Sequence, residues 1–211
     1  MRILFEDKVI VVVDKAAGQI VHPAPGHETG AMTQELVREF PEMASVGSKE
    51  RPGVVHRLDV DTSGVMVFAR TQAAYLDLRR QFEAHRDVRK TYLAACHWKR
   101  GVAAKGTVEL PIERQVAVSH YEVLGRQGSL AMVRFDIETG RTHQIRIHAA
   151  KGLGCPLVGD SLYGDAARDR HVWPRPTRTL LHAVTLVFPH PVTGRRMAFS
   201  SVPPKDLLYV H

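Results

Sequence analysis

The sequence predicts an α+β fold: a mixed, mainly antiparallel β-sheet core with flanking helices, in a single domain over residues 1–211. Three observations carry that prediction. Short β-branched or alternating runs outnumber helical patterns. Strand and helix do not alternate regularly, which argues against a doubly wound sheet. Two hairpin-type signals, GRQG and PHPVTG, join strand-like runs directly.

Taken in order, Val9 to Val13 is a β-branched run ended by the turn DKAAG. Ala31 to Phe40 reads as a short helix with Leu36 and Phe40 four apart and Pro41 stopping it. Val65 to Ala69 is a buried-type strand launched by DTSG. Gln72 to His85 spaces Ala74, Leu78 and Phe82 at intervals of four, beside Arg79, Arg80 and Glu83, so it is an amphipathic helix. Val88 to Ala94 alternates, with Val88, Lys90, Tyr92 and Ala94 on one face. Gly106 to Leu110, Ser119 to Leu124 and Ala131 to Ile137 follow as strands, the last two joined through GRQG. Leu180 to Phe188 and Arg196 to Ser200 flank PHPVTG and close the chain.

A 44% hydrophobic content is enough for a core, and 24% charged residues is ordinary for a folded chain. The balance of charge is not: 29 Lys and Arg against 22 acids leave +7. Such a surplus suits a polyanionic partner, since Lys and Arg displace counterions from phosphates. The plain alternative is solubility charge. Cys96 and Cys155 are the only cysteines and form no CxxC, which fits a reducing compartment and excludes a disulfide scaffold or cysteine zinc site. The N-terminal apolar run is short and interrupted by Glu6, Asp7 and Lys8, so no signal peptide is expected. With no stretch near the ~20 apolar residues of a membrane span, the expectation is a cytoplasmic protein.

Four stretches could carry chemistry. In HRLDVDTSG (His56 to Gly64), Asp59 is either a turn acid facing water or a carboxylate held near Arg57 for reaction. Gly64 permits a tight turn and Asp61, Thr62 and Ser63 can satisfy local donors, which leaves Asp59 for other work. In TGRTHQIRIHAAKGLG (Thr139 to Gly154), Thr142 is a candidate N-cap and Gly152 and Gly154 supply the stop. A helix starting near His143 would offer N–H groups and Arg141 to a phosphate. Arg146, one turn in, would reach inward toward a carboxylate. His143 and His148, five apart, make a poor metal pair. In RKTYLAA, Tyr92 shares a strand face with Lys90 and is either a packing residue or a stacking plate for a base. In DAARDRHVWPRPTR, Arg168, Arg170, Arg175 and Arg178 surround Trp173 in a predicted exposed loop suited to RNA contact or simple solvation. No GxGxxG, P-loop, HExxH or GxSxG occurs.

The combination HRLDVDTSGVMVFART, KTYLAA, TGRTHQIRIH with GCPLVGDSLYG, and LLHA strongly resembles the RluA family of RNA pseudouridine synthases, from about Ile3 to Phe199. The resemblance implies isomerisation of uridine to pseudouridine in rRNA or tRNA, without cofactor or metal, by a cytoplasmic catalytic domain. It gives Asp59 the role of catalytic carboxylate. Tyr92 resembles the tyrosine that stacks on the flipped base and assists proton removal. Arg146 resembles the basic partner that holds the aspartate, and Leu181 the apolar residue packed under the uracil. Arg57 is implied to position the target nucleotide, with Arg141 and His143 beside the substrate. A stacked uracil must be flipped out at a cost of a few kcal/mol. Basic surface offsets that cost, and an adjacent arginine keeps a desolvated acid ionised.

Three departures stand out. Many relatives carry an N-terminal S4 RNA-binding domain, whereas this chain starts directly at the first family strand. Ala16 stands where the family's NKPxG has proline. The segment LPIERQVAVSHYEVL is abrupt around Arg114 to His120, where relatives have a longer basic grip, so substrate choice should differ. The competing readings are an RNA-binding protein of the same fold without catalysis and a metal-dependent nuclease, the latter disfavoured by the lack of a clustered ligand set. A monomer is the default.

Overall fold

A computed structural model describes residues 1–23, 28–84 and 87–208. The chain forms two compact units, Met1–Val88 with Thr185–Ser201, and Arg89–Val184 with Val202–His211.

The first unit opens with β1 (Arg2–Glu6) and β2 (Ile10–Lys15), an antiparallel pair. Asp7 makes the turn between them, its Oδ1 accepting from the N–H groups of Val9 and Ile10 at 2.8 Å. Ile10 to Val13 are wholly buried, which is why β2 reads as an unbroken apolar run. Helix α1 (Met32–Glu39) ends at Phe40, and Pro41 opens a 3-10 turn. A two-residue pair, β3 (Gly47–Ser48) and β4 (Arg51–Pro52), leads toward β5 (Ser63–Ala69), which lies antiparallel to β2. Helix α2 (Gln72–Ala84) buries Ala74, Leu78 and Phe82 in one apolar cluster with Val65, Val67 and Ala69 of β5, as its four-residue spacing requires. His85, the last residue of the predicted helix, lies outside the described residues.

The second unit contains β6 (Arg89–His97), β7 (Lys105–Val108), β8 (Ser119–Gln127) and β9 (Leu130–Ile137). They pair antiparallel in the order β6-β9-β8-β7. Lys90, Tyr92 and Ala94 of β6 face inward together, as the alternation predicts. The hairpin expected at GRQG turns two residues later than its centre: Gly125 to Gln127 belong to β8, Gln127 lies opposite Leu130, and Gly128 (φ +59°) and Ser129 form the loop. Helix α3 (Gln144–Ile147) runs into a π-helical turn at His148–Gly152, and α4 (Ala166–Asp169) follows. Strand β10 (Leu181–Pro189) begins in the second unit and ends in the first, where it pairs antiparallel with β11 (Arg196–Ser200). Helix α5 (Lys205–Leu208) brings Leu207 into an apolar cluster with Ala95, Leu130, Val158, Val172 and Leu180. The architecture is α+β with mainly antiparallel strands, as the sequence predicts.

Several local expectations are corrected. Strand β1 carries no residue pattern of its own, because RILFE is only half-buried and charged at both ends. Thr142 is exposed and is not the cap of α3: His143 is, in the left-handed region at φ 55°. The segment DAARDRHVWPRPTR contains α4. No helix among the described residues is long and apolar enough to cross a membrane.

Candidate active site

Asp59 sits in the first unit, on the connection from β4 to β5, and both sides of that connection are fastened. On the approach, Gly53 accepts from the Ala69 N–H at 2.9 Å. A Cβ there would stand 2.4 Å from the Ala69 carbonyl oxygen, so only glycine fits. The ring of His56 stacks on Phe82 at 4.6 Å, and its Nε2 accepts from the Val67 N–H at 3.1 Å. The histidine of HRLD is therefore a brace, and Leu58 is buried behind it.

The turn itself differs from the predicted DTSG turn. The Thr62 N–H donates to the Asp59 carbonyl at 3.1 Å, so Asp59 is the first residue of the turn and Val60 and Asp61 are its corners. Ser63 and Gly64 already belong to β5, with Gly64 opposite Lys15. The exposed corner is held from beneath: the Val60 carbonyl accepts from Lys15 Nζ at 2.7 Å and from the Gly18 N–H at 2.9 Å. Lys15, only 1% exposed, also donates to the Ala16 carbonyl at 3.0 Å. Thus DKAAG, including the alanine at position 16, is the floor under the Asp59 turn. Asp59 is half-buried on this fixed main chain and Arg57 is exposed. His22 lies in the same unit near Arg57 and Arg51. Burial, then these two guanidinium charges, push its pKa down. A carboxylate so mounted is able to act as nucleophile or base without a loop rearrangement.

Tyr92, Arg141, His143, Arg146 and Leu181 lie in the second unit. Tyr92 is buried in β6 opposite Phe135 of β9. Two residues before it, buried Lys90 donates to the carbonyls of Thr139 at 3.0 Å and Glu138 at 3.3 Å. Desolvation, then the charge of Arg141, lowers the Lys90 pKa to about 8.

Gln144, which the sequence reading passed over, organises TGRTHQ. Its Oε1 accepts from Thr139 Oγ1 at 2.7 Å and the Arg141 N–H at 3.0 Å. Its Nε2 donates to the Val118 carbonyl at 2.9 Å and Ser119 Oγ at 3.0 Å. The side chain therefore ties the start of α3 to β8. Arg141 Nε donates to the Val116 carbonyl at 3.1 Å. The helix starts at Gln144, beside the expected His143, and continues through the π-helical turn to Gly152.

Arg146 does reach a carboxylate, and it is Asp160 of GDSLYG. Nε donates to Oδ2 at 2.8 Å and Nη2 to Oδ1 at 2.7 Å. The same Asp160 Oδ1 accepts from the N–H groups of Leu162 at 2.9 Å and Tyr163 at 3.1 Å, closing the loop. Burial would raise the Asp160 pKa, but the Arg146 bond and these backbone donors outweigh it and hold it below the ordinary carboxylate value. The Arg146 guanidinium lies 5.3 Å from the Tyr163 ring centroid, and His143 Nδ1 meets the Tyr163 hydroxyl at 3.2 Å. Leu181 is buried at the start of β10, its carbonyl accepting from Arg178 at 3.3 Å. Asp160 and Gln144 escaped the sequence reading because nothing in a single chain marks which polar residue is buried.

The family model described as RNA pseudouridylate synthase matches residues 9–151. Ribosomal large subunit pseudouridine synthase D of Pseudomonas aeruginosa is 40% identical, over 100% of this chain and 70% of its own. The protein of that name from Xanthomonas campestris pv. campestris is 41% identical, over 98% of this chain and 67% of its own. Two further relatives are spanned to 62% and 64% of their length. Among solved structures, human RNA pseudouridylate synthase domain containing 4 superposes with a TM-score of 0.75 at 26% identity, covering 98% of this chain and 90% of that one. The chain therefore belongs to the RluA family of RNA pseudouridine synthases, isomerases that act on RNA.

Proposed function

We propose that residues 1–211 act as one catalytic domain that converts specific uridines of ribosomal or transfer RNA to pseudouridine, with Asp59 as the catalytic carboxylate. The observation that supports this most is the Asp59 turn, whose Val60 carbonyl is clamped by buried Lys15 and Gly18. A merely solvated turn acid needs no such floor. The glycosidic bond from ribose C1′ to uracil N1 breaks, the base rotates, and C1′ bonds to C5. The C5 proton then leaves and N1 is protonated. Asp59 attacks the ribose or the base, or assists departure of uracil. Tyr92 stacks on the flipped base and assists proton removal, and Leu181 packs beneath it.

Arg146 holds Asp59 in its ionised form. Its two bonds to Asp160, through Nε and Nη2, fix the guanidinium in one orientation. Arg57 positions the target nucleotide, with Arg141 and His143 nearby. The name of the Pseudomonas relative supports ribosomal RNA as substrate. The protein works as a monomer in the cytoplasm, without cofactor or metal.

Release of tritium from RNA labelled at uridine C5, measured with a chelator present, tests the activity. Binding without release would favour the non-catalytic RNA-binding reading. Pseudouridine mapping in a strain lacking the protein identifies the target, and an unchanged map across both RNA classes would contradict the proposed substrates.

A further inference from the structure

The segment DAARDRHVWPRPTR holds an indole in the open on a fixed support. Trp173 is 69% exposed, whereas Trp98, the other tryptophan, is 6% exposed. Its neighbour Val172 is buried in the cluster with Ala95, Leu130 and Leu180. Upstream, Asp165 caps α4, accepting from the N–H groups of Ala167 and Arg168 at 3.1 Å. Asp169 Oδ1 meets buried His97 Nε2 at 2.7 Å and accepts from the Gly159 N–H at 3.1 Å. Downstream, Arg178 grips Asp206 through Nε at 2.7 Å and Nη2 at 2.8 Å. The display of Trp173 is therefore built by the loop's own anchors.

The four arginines of this segment divide by role. Arg178 is committed to Asp206, and Arg168 donates to the Trp98 carbonyl at 3.4 Å. Arg170 and Arg175 are exposed, and their side chains make no hydrogen bond or ion pair among the described residues. A flat aromatic face, flanked in sequence by two uncommitted guanidinium groups, matches the two surfaces of an unpaired nucleotide. The base stacks on the indole and the flanking phosphates meet the cations. The chain's surplus of +7 has the sign this partner requires. The support is also shared with residues of the proposed reaction. Gly159, bonded to Asp169, precedes the Asp160 that binds Arg146, and Arg178 bonds the Leu181 carbonyl.

We propose that Trp173, with Arg170 and Arg175, is a stacking subsite for an unpaired nucleotide of the RNA substrate outside the target uridine. This rests on the reading of the protein as an enzyme acting on RNA. It places part of the grip on RNA in a segment other than the abrupt one at Arg114 to His120.

The experiment follows tryptophan emission while oligouridylate or duplex RNA is added, with tritium release measured in the same samples. Because Trp98 is buried, quenching by acrylamide reports mainly Trp173. Oligouridylate should quench the emission and shield it from acrylamide, and duplex RNA should do neither. Trp173→Ala should weaken oligouridylate binding by about 5- to 100-fold. Trp173→Phe should restore most of it, and both should keep their turnover at saturating RNA. Arg170→Ala and Arg175→Ala should each reduce the salt dependence of binding by about one counterion. Unchanged affinity in Trp173→Ala, with emission indifferent to oligouridylate, would overturn the subsite. Emission responding to a protein partner and not to RNA would overturn it equally. Tritium release by wild type alongside either result would leave the enzymatic reading standing; absence of release would remove that reading, and RNA-dependent quenching would still establish the subsite.

Discussion

Arg146 and Asp160 form a two-pronged ion pair, at 2.8 and 2.7 Å, with the Asp160 side chain wholly shielded from solvent. The carboxylate is also satisfied by the N–H groups of Leu162 and Tyr163. Desolvating two charges is costly, and such a pair holds only where further hydrogen bonds complete it. Its consequence is geometric: Arg146 is kept in one orientation.

Removing either partner leaves a buried charge uncompensated. Asp160→Ala and Arg146→Ala should each lose about 3–5 kcal/mol of stability, and the double variant less than their sum. Because Asp160 is held below its unfolded pKa, its contribution is present above about pH 4 and falls away as pH drops through the folded value. Urea unfolding between pH 3 and 7 checks both points. Additive losses, or an Asp160→Asn variant with the wild-type acid profile, would refute the coupling.

Lys15 fixes the corner beside Asp59. Lys15→Met keeps most of the buried volume but leaves the Val60 carbonyl with the Gly18 N–H alone. A loss of roughly 1–3 kcal/mol in stability is expected. The turnover number should fall more than RNA affinity, since the acid and not the RNA surface is displaced. Equal loss in both would indicate general unfolding.

Lys90 gives a pH signature of the same sign as Asp160, displaced to an alkaline window. Its folded pKa of about 8 lies below the ordinary lysine value of 10.5, chiefly through burial. The unfolded chain then binds more protons between these values, so stability rises with pH across that window. The wild type should gain stability relative to Lys90→Met from pH 8 to 10, by an amount on the order of 2–3 kcal/mol. A flat difference would mean the ammonium is not desolvated.

The abrupt segment folds as a two-residue turn. Ile112 and Gln115 exchange backbone hydrogen bonds at 3.0 and 2.9 Å around Glu113 and Arg114, which have φ of 50° and 63°. Left-handed backbone costs a residue with a Cβ roughly 1 kcal/mol. Arg114→Gly should therefore raise stability by about 0.5–1 kcal/mol in thermal unfolding; a decrease would contradict this.

Periodicity made much of this legible. The spacing of Ala74, Leu78 and Phe82 gave α2 its buried face, and alternation put Lys90, Tyr92 and Ala94 on one side of β6. What stayed hidden depends on partners distant in sequence. The predicted turn was displaced because its closing bond runs from Thr62 back to Asp59, and Gly64 is recruited into β5 by Lys15. Lys15 as a clamp, His56 as a brace and Gln144 as a tie all act across 11 or more residues. A single sequence carries no pattern for such contacts. The role of Arg146 was half legible, since spacing turned it inward while Asp160 became evident only in the folded chain.

Asp59 is the proposed catalytic carboxylate. The most direct test is tritium release from C5-labelled RNA by wild type, Asp59→Ala and Asp59→Asn, with RNA affinity measured in parallel. Release by the wild type alone, with affinity kept within about threefold in both variants, is the predicted result. Release by either variant at a rate near that of the wild type would contradict it.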